Sequence, residues 1–161
     1  MPSVRIFRSN DSYESGIGGY AKHTVILRDM LPGPVTANSV DRPLWVVPKK
    51  FKGRVVDCVA SVLATGADGS NPLHSTFTPK KNNTNLCTTN ANIDKTAAAN
   101  NIATTVNPGT GITQAALKKD ATIEFQPGDV IHWDYTIQRT ATPSSEIKGP
   151  AICLILEVYA E

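Results

Sequence analysis

His132 and Asp134 stand two residues apart in Val130–Ile137, VIHWDYTI, whose alternation predicts a strand. Their side chains then share one face, roughly 6–7 Å apart. An imidazole and a carboxylate make half of a metal site. The other half needs at least two more ligands, and neither His23 nor His74 has a spacing that supplies them. A polar face opposite an apolar face of Ile131, Trp133, Tyr135 and Ile137 accounts for the pair without an ion.

Other residue types capable of chemistry lack the settings that chemistry needs. Cys58 and Cys153 lie inside apolar runs, where a thiol is buried and inert. No serine stands in a GxSxG elbow, and no carboxylate pair carries a glycosidase pattern. Asp129 follows Pro127-Gly128 as a turn residue does. Gly16-Ile17-Gly18-Gly19 has no following Lys-Ser/Thr and no strand-then-helix setting, so it reads as a turn and not as a phosphate cradle. No catalytic residue, cofactor or metal ligand is assigned, and the chain is expected not to be an enzyme.

Interfaces are better supplied. Arg5, Phe7, Arg8, Tyr13 and Tyr20 give the N-terminal segment the arginine and aromatic anchors that interfaces favour. Lys49, Lys50 and Lys52 surround Phe51 and lead to Arg54. That basic stretch is either a contact for an acidic partner surface or a solvated connection between strands.

The elements that position these residues are strands. Eleven glycines and eleven prolines over 161 residues leave few helix-length windows, and only 19% of residues are charged. Thr-, Asn- and Ser-rich composition favours strands and turns, and the length suits one domain. A net charge of +2 does not fit a dedicated nucleic-acid binder. Three widely spaced cysteines without CxxC pairs read as free thiols from a reducing cytoplasm. The N-terminus shows no apolar core of a signal peptide, and Ala151–Leu156 is too short to span a bilayer, so no membrane is expected.

Strands are predicted at Val4–Phe7, His23–Leu27 and Leu44–Val47. Another is predicted over Arg54–Ala64, with Val56, Cys58, Ala60 and Val62 on one buried face and Val55, Val59 and Leu63 on the other. His74–Thr78 and Thr84–Thr89 read as a hairpin around a five-residue loop, Pro79–Asn83. Residues 90–116 read as a long surface excursion whose Ala-rich part, Asp94–Asn100, is the one place for a helical turn or two. Ala121–Phe125, Val130–Ile137 and Ile152–Tyr159 close the chain as strands, the last apolar on nearly both faces and therefore central. Residues 1–43 read as an N-terminal arm or edge layer. Residues 44–161 read as an all-β domain, an antiparallel β-sandwich of the jelly-roll kind.

From Leu44 onward the order of pieces resembles the jelly-roll head decoration (cement) proteins of tailed bacteriophages. The residues carrying this are Pro-Leu-Trp-Val-Val-Pro (43–48), Val-Val-Asp-Cys-Val-Ala-Ser-Val-Leu (55–63), the turn Thr-Gly-Ala-Asp-Gly-Ser (65–70), the hairpin, Ile-Glu-Phe-Gln-Pro-Gly-Asp-Val-Ile (123–131) and the closing strand. The Gly-Asp-Val-Ile segment also occurs in cupins, but the metal-binding His-x-His pair of cupins is absent. The resemblance implies a non-enzymatic virion protein, made in the host cytoplasm, on the head exterior. It would bind the major capsid protein as a dimer or trimer and clamp neighbouring capsomers, with the arm anchors and the basic stretch as contacts. The alternative is a receptor- or glycan-binding sandwich of a tail fibre or spike, which needs exposed aromatics to stack on sugars.

Overall fold

The computed structural model describes residues 3–7, 22–98, 101–140 and 142–160. The strands in chain order are β1 (Ser3–Phe7), β2 (Lys22–Met30), β3 (Ser39–Val46), β4 (Phe51–Val62), β5 (His74–Lys81), β6 (Thr84–Asn85) and β7 (Cys87–Thr89). They continue with β8 (Ala91–Asp94), β9 (Ala103–Thr104), β10 (Ile112–Thr113), β11 (Ala116–Leu117), β12 (Glu124–Phe125), β13 (Val130–Gln138) and β14 (Ala151–Ala160). The first sheet runs β1-β2-β14-β4-β12, with β9 on β4. The second runs β10-β8-β5-β13-β3, with β6 on β5, and β7 and β11 form a small third sheet. Every pairing is antiparallel. Connections β2–β3, β3–β4, β4–β5, β12–β13 and β13–β14 each cross between the two large sheets, which is the wiring of a jelly-roll sandwich.

Alternation builds the core. Val25 and Leu27 of β2, Ile152, Leu154, Leu156 and Val158 of β14, and Ile131, Trp133 and Tyr135 of β13 are all buried. Phe77 stacks on Trp133 at 6.1 Å and meets Tyr135 edge-on at 5.6 Å, filling the centre between the layers. The buried Tyr135 hydroxyl needs a partner and finds the Ser75 hydroxyl at 2.8 Å; burial nevertheless pushes its pKa up to about 12.

Several expectations are corrected. The 43/44 boundary falls inside β3, and over residues 22–43 the segment read as an arm or edge layer supplies β2 and most of β3. Inward Val25 and Leu27 put β2 against β14 within the first sheet. Strand β4 is not buried on both faces: Leu156 pairs with Val55 and Ile155 with Asp57, so Val56 is an extra residue. This bulge resets the alternation, turning Val55 and Cys58 inward and leaving Val56 exposed.

The hairpin loop is two residues, not five. Asn82 and Asn83 take φ of 45° and 67°, as a tight hairpin turn requires, and β5 continues through Pro79 to Lys81. The Pro79 carbonyl accepts from Leu86 N at 2.9 Å, so the position of its missing N–H faces the gap between β8 and β6, where no ladder bond is lost. Residues 95–98 form hydrogen-bonded turns and no helix, while β8 to β11 thread the 90–116 excursion with short strands. Ala121–Ile123 is a 3₁₀ turn capped by Asp120, and only Glu124–Phe125 of that predicted strand is extended. Phe125 settles over Gly53, where a Cβ would stand 1.9 Å from the Glu157 carbonyl, so only glycine fits this crossing.

Candidate functional site

The outward rows of the first sheet carry apolar residues that the chain itself leaves partly uncovered. Register sets Arg28, Cys153 and Val59 side by side, and next to them Met30, Ala151 and Ser61. Strand β9 adds Thr104 beside Ser61, and Val106 follows. These residues line a shallow groove of about 610 Å³ that extends to Ile155. Met30 is 47% exposed and Val106 55%, so the groove has an apolar rim open to solvent. Arg28 is exposed at the groove edge and makes no ion pair among the described residues.

The far end of the same face is ionic. Glu157 on β14 bridges Lys22 on β2 at 2.7 Å and Arg54 on β4 at 2.9 Å. The Lys22 hydrogen bond, which outweighs partial desolvation, holds the Glu157 carboxyl below its ordinary value. Lys52 is exposed on β4, opposite Tyr159. Lys49 and Lys50 are exposed in the β3–β4 turn, and Lys50 adopts φ 71° there. The structure therefore brings Lys52 onto the sheet face and leaves Lys49 and Lys50 at the turn before it.

Of the N-terminal anchors, Arg5 pairs in register with Ile26 and Phe7 with Thr24, which places β1 along the edge of this sheet. Arg8, Tyr13 and Tyr20 lie outside the described residues. Sequence reasoning missed Arg28, Met30, Val59, Val106, Cys153 and Ile155. The signal was present in part: Ile152–Tyr159 is apolar on nearly both faces, and only one of those faces meets the core.

His132 and Asp134 do share a face, but His132 is buried and not solvent-facing. Strand β3 brings Asp41 to them, and the three groups offer ligand atoms within 4.8 Å of one another. Hydrogen bonding engages His132 Nε2 and both Asp134 oxygens, and leaves His132 Nδ1 buried without a hydrogen-bond partner among the described residues. His132 Nε2 accepts from Asn83 N at 3.1 Å, so the ring proton sits on Nδ1, 3.6 Å from the Asp41 carboxylate. An ion on Nδ1 would move that proton to Nε2, against the Asn83 N–H. Asp134 accepts from Asp41 N at 2.8 Å and pairs with Lys80. Partial burial pushes the Asp134 pKa up, and the Lys80 and Asp41 hydrogen bonds outweigh it, leaving the carboxyl below its ordinary value. This cluster is a bracket that pins β3 to β13 where their register shifts.

Fold and surface together define an antiparallel jelly-roll sandwich with one half-apolar outer sheet face. No protein-family model, curated protein or solved structure matches the chain.

Proposed function

We propose that this chain is a non-enzymatic binding domain that docks on a protein surface through the outer face of its first sheet. The observation that carries this is the open apolar groove rimmed by Met30 and Val106, with the exposed Arg28 at its edge. Apolar anchors beside an arginine are the composition of an interface centre.

The specific form we propose is decoration of a bacteriophage head, with the major capsid protein as partner and homo-oligomers bridging capsid subunits. The order of strands from Leu44 and the Gly128-Asp129-Val130-Ile131 turn support it. Many copies on one shell would sum modest interfaces into a large stabilisation. The N-terminal strand along the sheet edge would add Arg5 and Phe7 to the contact. A glycan-binding module has less support, because Trp133 and Tyr135 are buried and Trp45 packs edge-on against Phe125.

Co-sedimentation with shells of the major capsid protein encoded in the same genome tests this. The wild type should pellet stoichiometrically. Met30→Glu and Val106→Glu should weaken binding at least about tenfold, while Val40→Glu, exposed on the other sheet, should bind normally. Deleting residues 1–21, which spares β2, should weaken binding without unfolding the domain. Absence of binding by the wild type would refute the decoration reading.

A further inference from the structure

The β5–β6 hairpin turns at Asn82 and Asn83, and a side chain of the neighbouring strand, His132 of β13, is bonded to it. His132 Nε2 accepts the Asn83 N–H at 3.1 Å, and the His132 side chain is only 6% exposed. The other ring nitrogen, Nδ1, has no hydrogen-bond partner among the described residues and faces the Asp41 carboxylate at 3.6 Å. With Nδ1 carrying the ring proton, a second proton can go only to Nε2. There it meets the Asn83 N–H, so two donors face one another where a hydrogen bond stood.

We propose that His132 is an acid-released latch on the β5–β6 turn: the neutral ring holds Asn83, and the imidazolium lets it go. The closed turn binds one proton fewer than the open one, so acid favours opening. The charges around the ring work on both states. Asp41 approaches from β3, and Asp134 lies two residues along β13. Lys80 of β5 repels an imidazolium, but Asp134 pairs with Lys80 and offsets it, while also accepting from Asp41 N at 2.8 Å. The exposed Asp41 carboxylate is then the acceptor toward which Nδ1–H turns once the ring is released. The neighbouring charges are engaged elsewhere. Lys81 of β5 donates to the Glu124 carbonyl, Arg42 of β3 binds Asp29, and Asp129 accepts from the Asn82 side-chain amide at 2.6 Å.

Release at Asn83 stays local. Strand β6 is two residues long and meets β5 through the pairs Lys80–Asn85 and Lys81–Thr84, so the Asn83–Thr84 side of the hairpin has little else to hold it. Asn82 remains tied to β13, because its N–H donates to the Val130 carbonyl at 3.0 Å and its side-chain oxygen accepts from Val130 N at 2.8 Å. Those bonds do not involve the imidazole. Strands β5 and β13 also stay paired from Lys81 and Ile131 to His74 and Gln138. The latch therefore frees the hairpin tip and leaves the second sheet intact.

The test is site-resolved amide exchange by NMR on the isotope-labelled full chain, from about pH 8 to about pH 5. Imidazoles ordinarily take up a proton in that range while carboxylates stay ionised. Each rate is divided by the unstructured-chain rate at the same pH to give protection. Asn83 protection should fall at least about tenfold with acid, in step with the His132 Cε1–H shift, while Tyr135 protection on β13 stays constant. His132→Gln keeps an acceptor beside Asn83 and cannot titrate, so its Asn83 protection should not depend on pH. His23→Gln and His74→Gln should behave as the wild type does. If His132→Gln fails to fold, the paired wild-type titrations of Asn83 and His132 carry the test. Flat Asn83 protection, a His132 that takes up no proton by about pH 5, a loss shared equally by Tyr135, or a loss that persists in His132→Gln would each overturn the proposal.

Discussion

Trp133 donates its indole N–H to Oδ2 of Asp29 at 3.0 Å, joining the middle of the second sheet to the first inside the core. Arg42 on β3 binds the same oxygen at 2.6 Å, and its guanidinium lies 5.9 Å from the Trp133 ring centroid. Asp29 is 5% exposed, so its charge persists only because both donors hold it. Arg42→Leu should cost about 3 kcal/mol, because it leaves that carboxylate underpaired. The Asp29→Leu/Arg42→Leu double variant should lose less than Arg42→Leu alone. Urea unfolding at neutral pH measures both.

The same carboxylate makes stability depend on acid. Burial pushes the Asp29 pKa up, but the Arg42 and Trp133 hydrogen bonds outweigh it and hold it below the ordinary carboxylate value. A carboxyl depressed in the folded state stabilises the fold above the unfolded value, about pH 4, and loses that contribution as pH falls through the folded value. Wild-type stability should therefore fall steeply below about pH 4. Asp29→Asn should start lower at pH 6 and show a shallower acid limb. Equal slopes for the two proteins in a urea series from pH 6 to pH 2.5 would contradict this assignment.

The β4 bulge predicts an unusual tolerance. Deleting Val56 would bring Val55 and Asp57 into consecutive register with Leu156 and Ile155, with every inward residue still inward. That deletion should fold, at a cost of about 1 kcal/mol or less. Deleting Val59 would instead turn Cys58 and the residues before it to the opposite face, and should abolish folding. Circular dichroism and a thermal melt of the two variants separate these outcomes.

Lys95 closes the 68–71 loop from beneath. Its ammonium donates to the carbonyls of Asp68 at 2.9 Å, Gly69 at 2.6 Å and Asn71. Lys95→Met keeps the stem and removes all three donors, and should cost about 1–3 kcal/mol. Amide exchange should rise in peptides covering residues 67–72 while the β13 amides remain protected.

Much of the sandwich is legible from alternation. VIHWDYTI and the closing strand announce their inward faces, and Pro127-Gly128-Asp129 announces the turn before β13. What escapes is what depends on distant partners. His132 reads as solvent-facing because nothing local shows that the Asn82-Asn83 turn and Asp41 will cover it. The Val56 bulge is invisible in an apolar run where either phase of alternation looks buried. Pro79 looks like a loop residue until β8 is seen to end short of it. Residues 90–116 have too few apolar side chains to reveal strands that are held by backbone pairing with β4, β5 and β7 and with one another. The groove is half legible: the outward apolar row of Ile152–Tyr159 is in the sequence, but its meeting with Met30, Val59 and Val106 exists only once β2, β14, β4 and β9 lie side by side.

The most direct test of the docking face uses Cys153, which lines the groove, as its own reporter. The rate at which a small maleimide labels Cys153 is measured for the free protein and for protein bound stoichiometrically to capsid shells. Labelling should slow by at least about tenfold on binding, as expected for burial in an interface core. Stoichiometric binding with an unchanged Cys153 rate would place the contact elsewhere and contradict the assignment of this face.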